Sequence, residues 1–202
     1  LDPELALDGV DFLRSEVSLD YDRPNWVYKA SSNARLGAGA ERARPSDDAS
    51  VDFLGFRHRY ISAPPALMAL RQWQNLANAG SLSLYIMGRL DARRDTSALA
   101  PTRRVFQFHK AHEKVFRGLR SAAQVVLLQT GSWQRMEDEA RGWVRVLTES
   151  HIPFDEVPLA SLQTAAQLTG KRLAILPDAP RLTGAQAALL DEFVEAGGIL
   201  LA

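Results

Sequence analysis

Cysteine is absent from the chain. Disulfides, thiolate metal sites and a cysteine nucleophile are thereby excluded, and the absence suits the cytoplasm, where the protein is expected. No apolar run approaches the roughly 20 residues of a membrane span. The N-terminus also lacks a basic region followed by an apolar segment, so no membrane association is expected. Charge of one sign is missing too: 24 Lys and Arg balance 24 Asp and Glu, which leaves no whole-chain field to draw nucleic acid. There is no G-x-G-x-x-G and no phosphate-loop lysine, and no cofactor is expected. No internal repeat is visible. Residue 1 is Leu rather than Met, and the closing GGILLA reads as a strand without a following turn; the chain reads as a piece of a longer protein.

What is present is ample apolar material, 46% of residues, enough for one large or two small domains. Runs resembling buried strands recur at Val10–Leu13, Val51–Phe56, Leu82–Met87, Val125–Leu128, Leu173–Leu176 and Ile199–Leu201. Helix-length segments separate most of them, the alternation of βα units around a parallel sheet. Pro64–Ala79 opens on prolines and spaces Leu67, Leu70, Trp73 and Leu76 as a buried helix face. Pro101–Leu119 carries Val105, Phe108, His112, Val115, Phe116 and Leu119 on one face. Gln134–Glu149 has a stripe of Met136, Ala140, Trp143, Val144 and Leu147 behind an acidic start. Thr183–Ala196 combines a Thr183/Gln186 capping box, an apolar face and a Gly197–Gly198 stop. Residues 36–50 read as an exposed loop, and Gly118–Ala123 as the domain boundary.

Polar residues follow the first three strand runs at once: Arg14, Ser15 and Glu16; then Arg57, His58, Arg59 and Tyr60; then Arg89 and Asp91. On parallel neighbours these clusters share one rim, the usual place for chemistry in α/β folds. Cations, carboxylates and the rings of Trp26 and Tyr60 suit a polyhydroxylated substrate, since hydroxyls need hydrogen bonds and sugar faces stack on rings. Glycoside hydrolysis normally needs two carboxylates roughly 5 to 10 Å apart, and Glu16 is the candidate for one of them. His109, His112 and Glu113 do not form the H-E-x-x-H pattern of a zinc helix. His112 is expected to pack, and no metal is expected. Trp73 and Trp143 are expected in the core. Gly131 and Ser132 follow the first strand of the second half, where a doubly wound sheet can bind a ligand.

Two stretches, ISAPPALMALRQWQNLANAGSLSLYIMGRLD (61–91) and VFQFHKAHEKVFRGLRSAAQVVLL (105–128), resemble the end of the catalytic barrel in bacterial glycosyl hydrolase-like proteins related to β-galactosidases with a trimerisation domain. Arg71, Trp73, Gln74, Asn78 and Gly80 carry that match. LAILPDAP and FVEAGGILLA are similar to the trimerisation domain. The resemblance implies an α/β protein: residues 1–118 as the last βα units of a (β/α)8 TIM-type barrel, and 119–202 as a truncated flavodoxin-like unit of the class I amidotransferase topology. It implies a glycoside hydrolase acting on O-glycosidic bonds, a carbohydrate substrate and a homo-oligomer, by this pattern a trimer. In those β-galactosidases the nucleophile follows the seventh strand, here VDFLGF, and no acid lies in the GFRHRYIS behind it; the general acid follows the fourth strand, upstream of this chain. Retaining α-fucosidases place an acid/base after the sixth strand, which points to Glu16, with Arg14, Trp26, Arg57, His58, Arg59, Tyr60, Arg89 and Asp91 as substrate contacts. The alternative is a catalytically inactive carbohydrate-binding or oligomerisation module.

Overall fold

The computed structural model describes residues 11–17, 27–39, 46–130, 138–178 and 180–202. They divide into two compact units, one of residues 12–34 and 45–119, the other of residues 35–44 and 120–202, within the described ranges.

In the first unit β1 (Leu13–Val17), β2 (Ser46–Val51) and β3 (Ser81–Tyr85) form a parallel sheet in chain order. The helices are α1 (Lys29–Gly39), whose last residues group with the second unit, then α2 (Pro65–Ala77), α3 (Leu99–Ala111) and the single turn α4 (Glu113–Phe116). Leu13 pairs with Ser46, and Asp47 with Ser81, so the three strands run level toward one carboxyl edge. Successive parallel strands with helical crossovers are the repeating unit of a barrel wall.

The central strand, SDDASV, is nearly all buried. Asp47 is tied to Arg14 on β1, with Nε 2.7 Å from Oδ2. Asp48 points to the opposite face, where its Oδ1 accepts from Ser15 Oγ at 2.8 Å and from Asn33 Nδ2 of α1 at 2.7 Å. Because this face of β2 is polar, α2 turns polar residues toward it. Met68, Arg71, Gln72, Asn75 and Leu76 are buried at helical spacing. Asn75 Nδ2 donates to the Asp48 carbonyl (3.1 Å), Gln72 Nε2 to the Ser83 carbonyl (2.7 Å), and Arg71 Nη1 to the Val51 carbonyl (3.3 Å).

These contacts correct several sequence expectations. The strand expected at Val51–Phe56 is Ser46–Val51; of the exposed loop expected over residues 36–50, residues 36–39 end a helix and 46–50 belong to a central strand, while 40–45 lie outside the described residues. The first strand begins at Leu13, so Arg14, Ser15 and Glu16 lie within it rather than beyond it; Val10 lies outside the described residues. The buried face of α2 is rotated from the one expected, leaving Leu70 and Trp73 about two-fifths exposed. The helix expected over Pro101–Leu119 breaks at His112, whose ring is exposed, stacks 4.4 Å from that of Phe108 and holds the Phe108 carbonyl through Nδ1 at 2.8 Å.

In the second unit β4 (Val125–Gln129), β5 (Phe154–Pro158), β6 (Leu173–Ile175) and β7 (Ile199–Leu201) are all parallel, in the order β5-β4-β6-β7. Counted within the unit this is the 2-1-3-4 order of flavodoxin-like sheets. Helices α5 (Asp138–Glu149) and α6 (Gly184–Glu195) supply crossovers. Val126, Leu128, Val157, Leu168, Ala174 and Leu190 form one core cluster. The Thr183/Gln186 capping box is present: Gln186 N donates to Thr183 Oγ1 (3.2 Å) and Thr183 N to Gln186 Oε1 (3.0 Å).

Sequence reading misses β5, FDEVP, because two of its five residues are acidic. Glu156 within it is fully buried, accepting from Gln129 Nε2 at 2.8 Å and from Arg35 Nη1 at 3.2 Å, while Arg35 lies 4.1 Å over the Phe154 ring. Gly39 meets this strand so closely that a Cβ there would sit 2.1 Å from the Glu156 carbonyl oxygen.

Candidate functional site

The carboxyl edge of the first sheet opens into two loops, residues 52–64 after β2 and 86–98 after β3. They are locked together from below. Asp52, the first residue past β2, accepts from the Ala63 amide (3.0 Å) and Ser62 Oγ (3.3 Å), and Arg93 Nη2 lies 3.2 Å from its Oδ2. The same Nη2 donates to the Asp52 carbonyl (2.5 Å), and Arg93 Nε donates to the Asp95 carbonyl (2.8 Å). Asp95 in turn accepts from the amides of Ser62 (2.9 Å) and Ser97 (3.1 Å).

Burial pushes the Asp52 carboxyl above its ordinary range, against the lowering effects of Arg93, the Ala63 amide and Ser62. Asp95 is held below its ordinary range by the Ser97 and Ser62 amides. The buried pair therefore serves as a clamp between two loops and presents no carboxylate outward.

Above the clamp lies an aromatic rim. Phe53 packs on Phe56 (ring centroids 5.7 Å apart) and edge-on to Tyr85 (6.0 Å). Residues Phe56–His58 make a tight helical turn, closed by the His58 amide on the Gly55 carbonyl at 2.8 Å, and the Ile61 amide donates to the His58 carbonyl at 3.1 Å in the turn that follows. That turn thrusts Phe56 out to 73% exposure, with Tyr60 at 57%. Tyr60 is not loose: its Cε1 lies against Gly88, where a Cβ would come within 3.3 Å, and Gly88 has a φ of +80° that favours glycine. The Arg59 guanidinium stands 5.3 Å from the Tyr60 centroid.

The structure thus brings Arg57, His58, Arg59 and Tyr60 onto one turn, beside Arg89 and Asp91 on the facing loop. Arg89 and Asp91 hold each other bidentately at 2.9 and 2.5 Å, which lowers the Asp91 carboxyl below its usual range. Glu16 lies one residue before the end of β1 and is exposed on the side shared with Arg14, opposite Ser15 and hence away from α1. No hydrogen bond or ion pair among the described residues joins Glu16 to the aromatic rim. Trp26, Gly131 and Ser132 lie outside the described residues.

Asp52, Phe56, Arg93 and Asp95 are absent from the sequence-based candidates. Asp52 was hidden by the misplaced strand, and Arg93 and Asp95 by their distance in sequence from the loop they secure. Trp73, expected in the core, is instead surface-lying and edge-on to Phe108 at 5.0 Å.

A separate groove of about 420 Å³ lies in the second unit, lined by Lys171, Arg172, Leu189, Glu192, Phe193 and Gly197 among others. Its ammonium, Lys171, is tied to Asp155 and to the Ala123 carbonyl, so that charge is committed to packing. Among the described residues, no group of three or more His, Asp or Glu is placed to hold a metal, and no helix is long and apolar enough to cross a membrane.

No family model matches the chain, and no curated protein matches it. Among solved structures it is similar to the α-L-fucosidase isoenzyme 2 from Paenibacillus thiaminolyticus, with a TM-score of 0.67 at 20% identity. The likeness covers 94% of this chain and 29% of that one. It establishes a shared fold, an α/β arrangement with two parallel sheets as found in part of that enzyme.

Proposed function

We propose that the chain is part of a glycoside hydrolase, in which the first unit supplies one wall of a saccharide cleft and the second is an association domain. The observation that carries this reading is the rim: exposed Phe56, packed on Phe53, and exposed Tyr60, set against Gly88, flanked by arginines at the carboxyl edge of a parallel sheet. Rings held in place offer a stacking face to a sugar at little entropic cost, and the adjacent guanidinium groups donate to its hydroxyls. The shared fold with an α-L-fucosidase supports the same class.

Within this reading Glu16 is the acid/base, on the side of β1 turned away from α1 and near its carboxyl end, and its partner carboxylate comes from outside this chain. Arg14, Trp26, Arg57, His58, Arg59, Tyr60, Arg89 and Asp91 are its substrate-side companions. In full-length protein, Glu16→Gln is expected to lower kcat on aryl glycosides by roughly 10²- to 10⁴-fold, the usual share of a general acid/base. Turnover equal to wild type across a panel of aryl glycosides would remove Glu16 from the mechanism.

One observation favours a second reading, saccharide binding without turnover. The first acid behind β2 is Asp52, and it is buried against Arg93. Sugar binding by calorimetry with no hydrolysis in the full-length protein supports this alternative; hydrolysis rejects it.

A further inference from the structure

The two loops of the rim carry a charge pattern that the chain as a whole lacks. The protein is neutral overall, yet Arg57, Arg59, Arg89 and Arg94 are all exposed on these loops. Apart from the buried Asp52, the opposing carboxylates there are Asp91 and Asp95. Asp91 is engaged by Arg89 through both oxygens, and Asp95 accepts from the Ser62 and Ser97 amides. Among the described residues, Arg57, Arg59 and Arg94 have no carboxylate within ion-pair distance.

Two of these cations lie on the same turn as the exposed rings. Arg59 stands over the Tyr60 ring, and Tyr60 is itself fixed against Gly88; Arg57 sits between Phe56 and His58 in the tight turn. A guanidinium stacked on an aromatic face keeps its outward donors in a planar fork, which matches the paired oxygens of a carboxylate or sulfate. Neutral hydroxyls need only single donors and gain less than an anion does from several uncompensated positive charges.

We propose that the saccharide received by this rim is acidic: a sugar bearing a carboxylate or sulfate group sets its ring against Tyr60 and its anion on Arg57 and Arg59. The proposal rests on the carbohydrate reading above and narrows it to a substrate class.

The test is calorimetric binding of the full-length protein to neutral galacto-oligosaccharides, oligogalacturonates and sulfated galacto-oligosaccharides of matched length, with polyglutamate as a non-saccharide polyanion. At least one acidic series is expected to bind roughly tenfold or more tighter than the neutral one, the scale of one charge-assisted hydrogen bond. That advantage should shrink as salt rises from about 50 to 200 mM, since exposed charges are screened over that range. Arg57→Gln with Arg59→Gln should reduce the acidic series to the neutral level, and Tyr60→Ala should weaken every saccharide, with circular dichroism unchanged in both. The acidic arm that binds identifies carboxylate or sulfate as the group read. Equal binding of neutral and acidic sugars, unmoved by the arginine variants, overturns the acidic class and leaves the carbohydrate reading intact. Binding of no saccharide overturns both, and binding of polyglutamate as tightly as the acidic sugars reduces the effect to bare charge attraction and overturns the proposal.

Discussion

Asp48 and Asp52 stand four residues apart on one buried run, and both are carboxylates in places where carboxylates are costly. Burial raises the Asp48 carboxyl above its ordinary 3.8, against the lowering effects of Asn33, Ser15, Asn75 and the Arg71 charge. The same burial pushes the Arg71 guanidinium down to about 10, which leaves it charged at neutral pH. A carboxyl with a raised folded-state pKa keeps its proton where the unfolded chain has lost it. Its stabilising share is complete below the unfolded value and is lost as pH rises through the folded one. Asp48→Asn retains an acceptor for Ser15 and Asn33 and places a donor where Oδ2 now lacks a partner. Urea midpoints of this variant should therefore fall less steeply than wild type above about pH 4; superimposable pH profiles would refute this account. For Arg93 the prediction is a loss. Arg93→Met strands a buried Asp52, at a cost of about 3–5 kcal/mol, and adding Asp52→Asn should recover part of it in a double-mutant cycle. Full additivity of the two changes would show that the pair is not coupled.

At the level of elements, local chemistry and tertiary context compete, and the outcome differs from one element to the next. Helix α6 is legible because its stop, its start and its apolar face agree: Thr183 and Gln186 exchange their capping bonds, and Gly197 takes a φ of +92° behind the last turn. Thr183→Ala should cost about 1 kcal/mol in denaturant unfolding, and Thr183→Ser should restore most of it. A loss below a few tenths would mean that the cap is redundant with packing. Strands β4, β6 and β7 are legible for a similar reason, since apolar runs between turn residues have few other uses. SDDASV is not, because its acids lower strand propensity and only their partners, Arg14 on a neighbouring strand and Asn33 on a helix, make the conformation tolerable. That misplaced strand also put Asp52 inside a strand it in fact follows, and the separate shift of β1 to Leu13–Val17 put Glu16 within a strand it was expected to follow. The buried face of α2 was illegible on the same grounds: Arg71, Gln72 and Asn75 face inward because β2 and β3 offer carbonyls there, a fact no helical wheel contains. Of the candidate site, the Arg57–Tyr60 turn and the Arg89/Asp91 loop were legible as polar residues behind strands. Their clamp was not, since it joins residues 41 apart in the chain.

The whole molecule holds two compact units, and among the described residues a core cluster of one shares no residue with that of the other. Met68, Ala63 and Ala98 form a small cluster in one, whereas Leu128, Val157, Ala174 and Leu190 belong to the larger cluster of the other. Separate cores within one chain give separate cooperative transitions unless the interface between them is large and apolar. Calorimetry of the 202-residue chain is therefore expected to resolve two heat-absorption peaks. Each peak should answer to its own core. Leu190→Ala and Met68→Ala both remove fully buried side chains, a change that costs about 2–5 kcal/mol at such positions. Leu190→Ala should lower one transition by several degrees and leave the other in place, and Met68→Ala should do the reverse. Urea unfolding with Trp26, Trp133 and Trp143 replaced by Phe assigns the peaks independently, because Trp73, then the sole tryptophan of the four, reports from the first unit alone. A single transition lowered equally by both substitutions would show that the units unfold as one body.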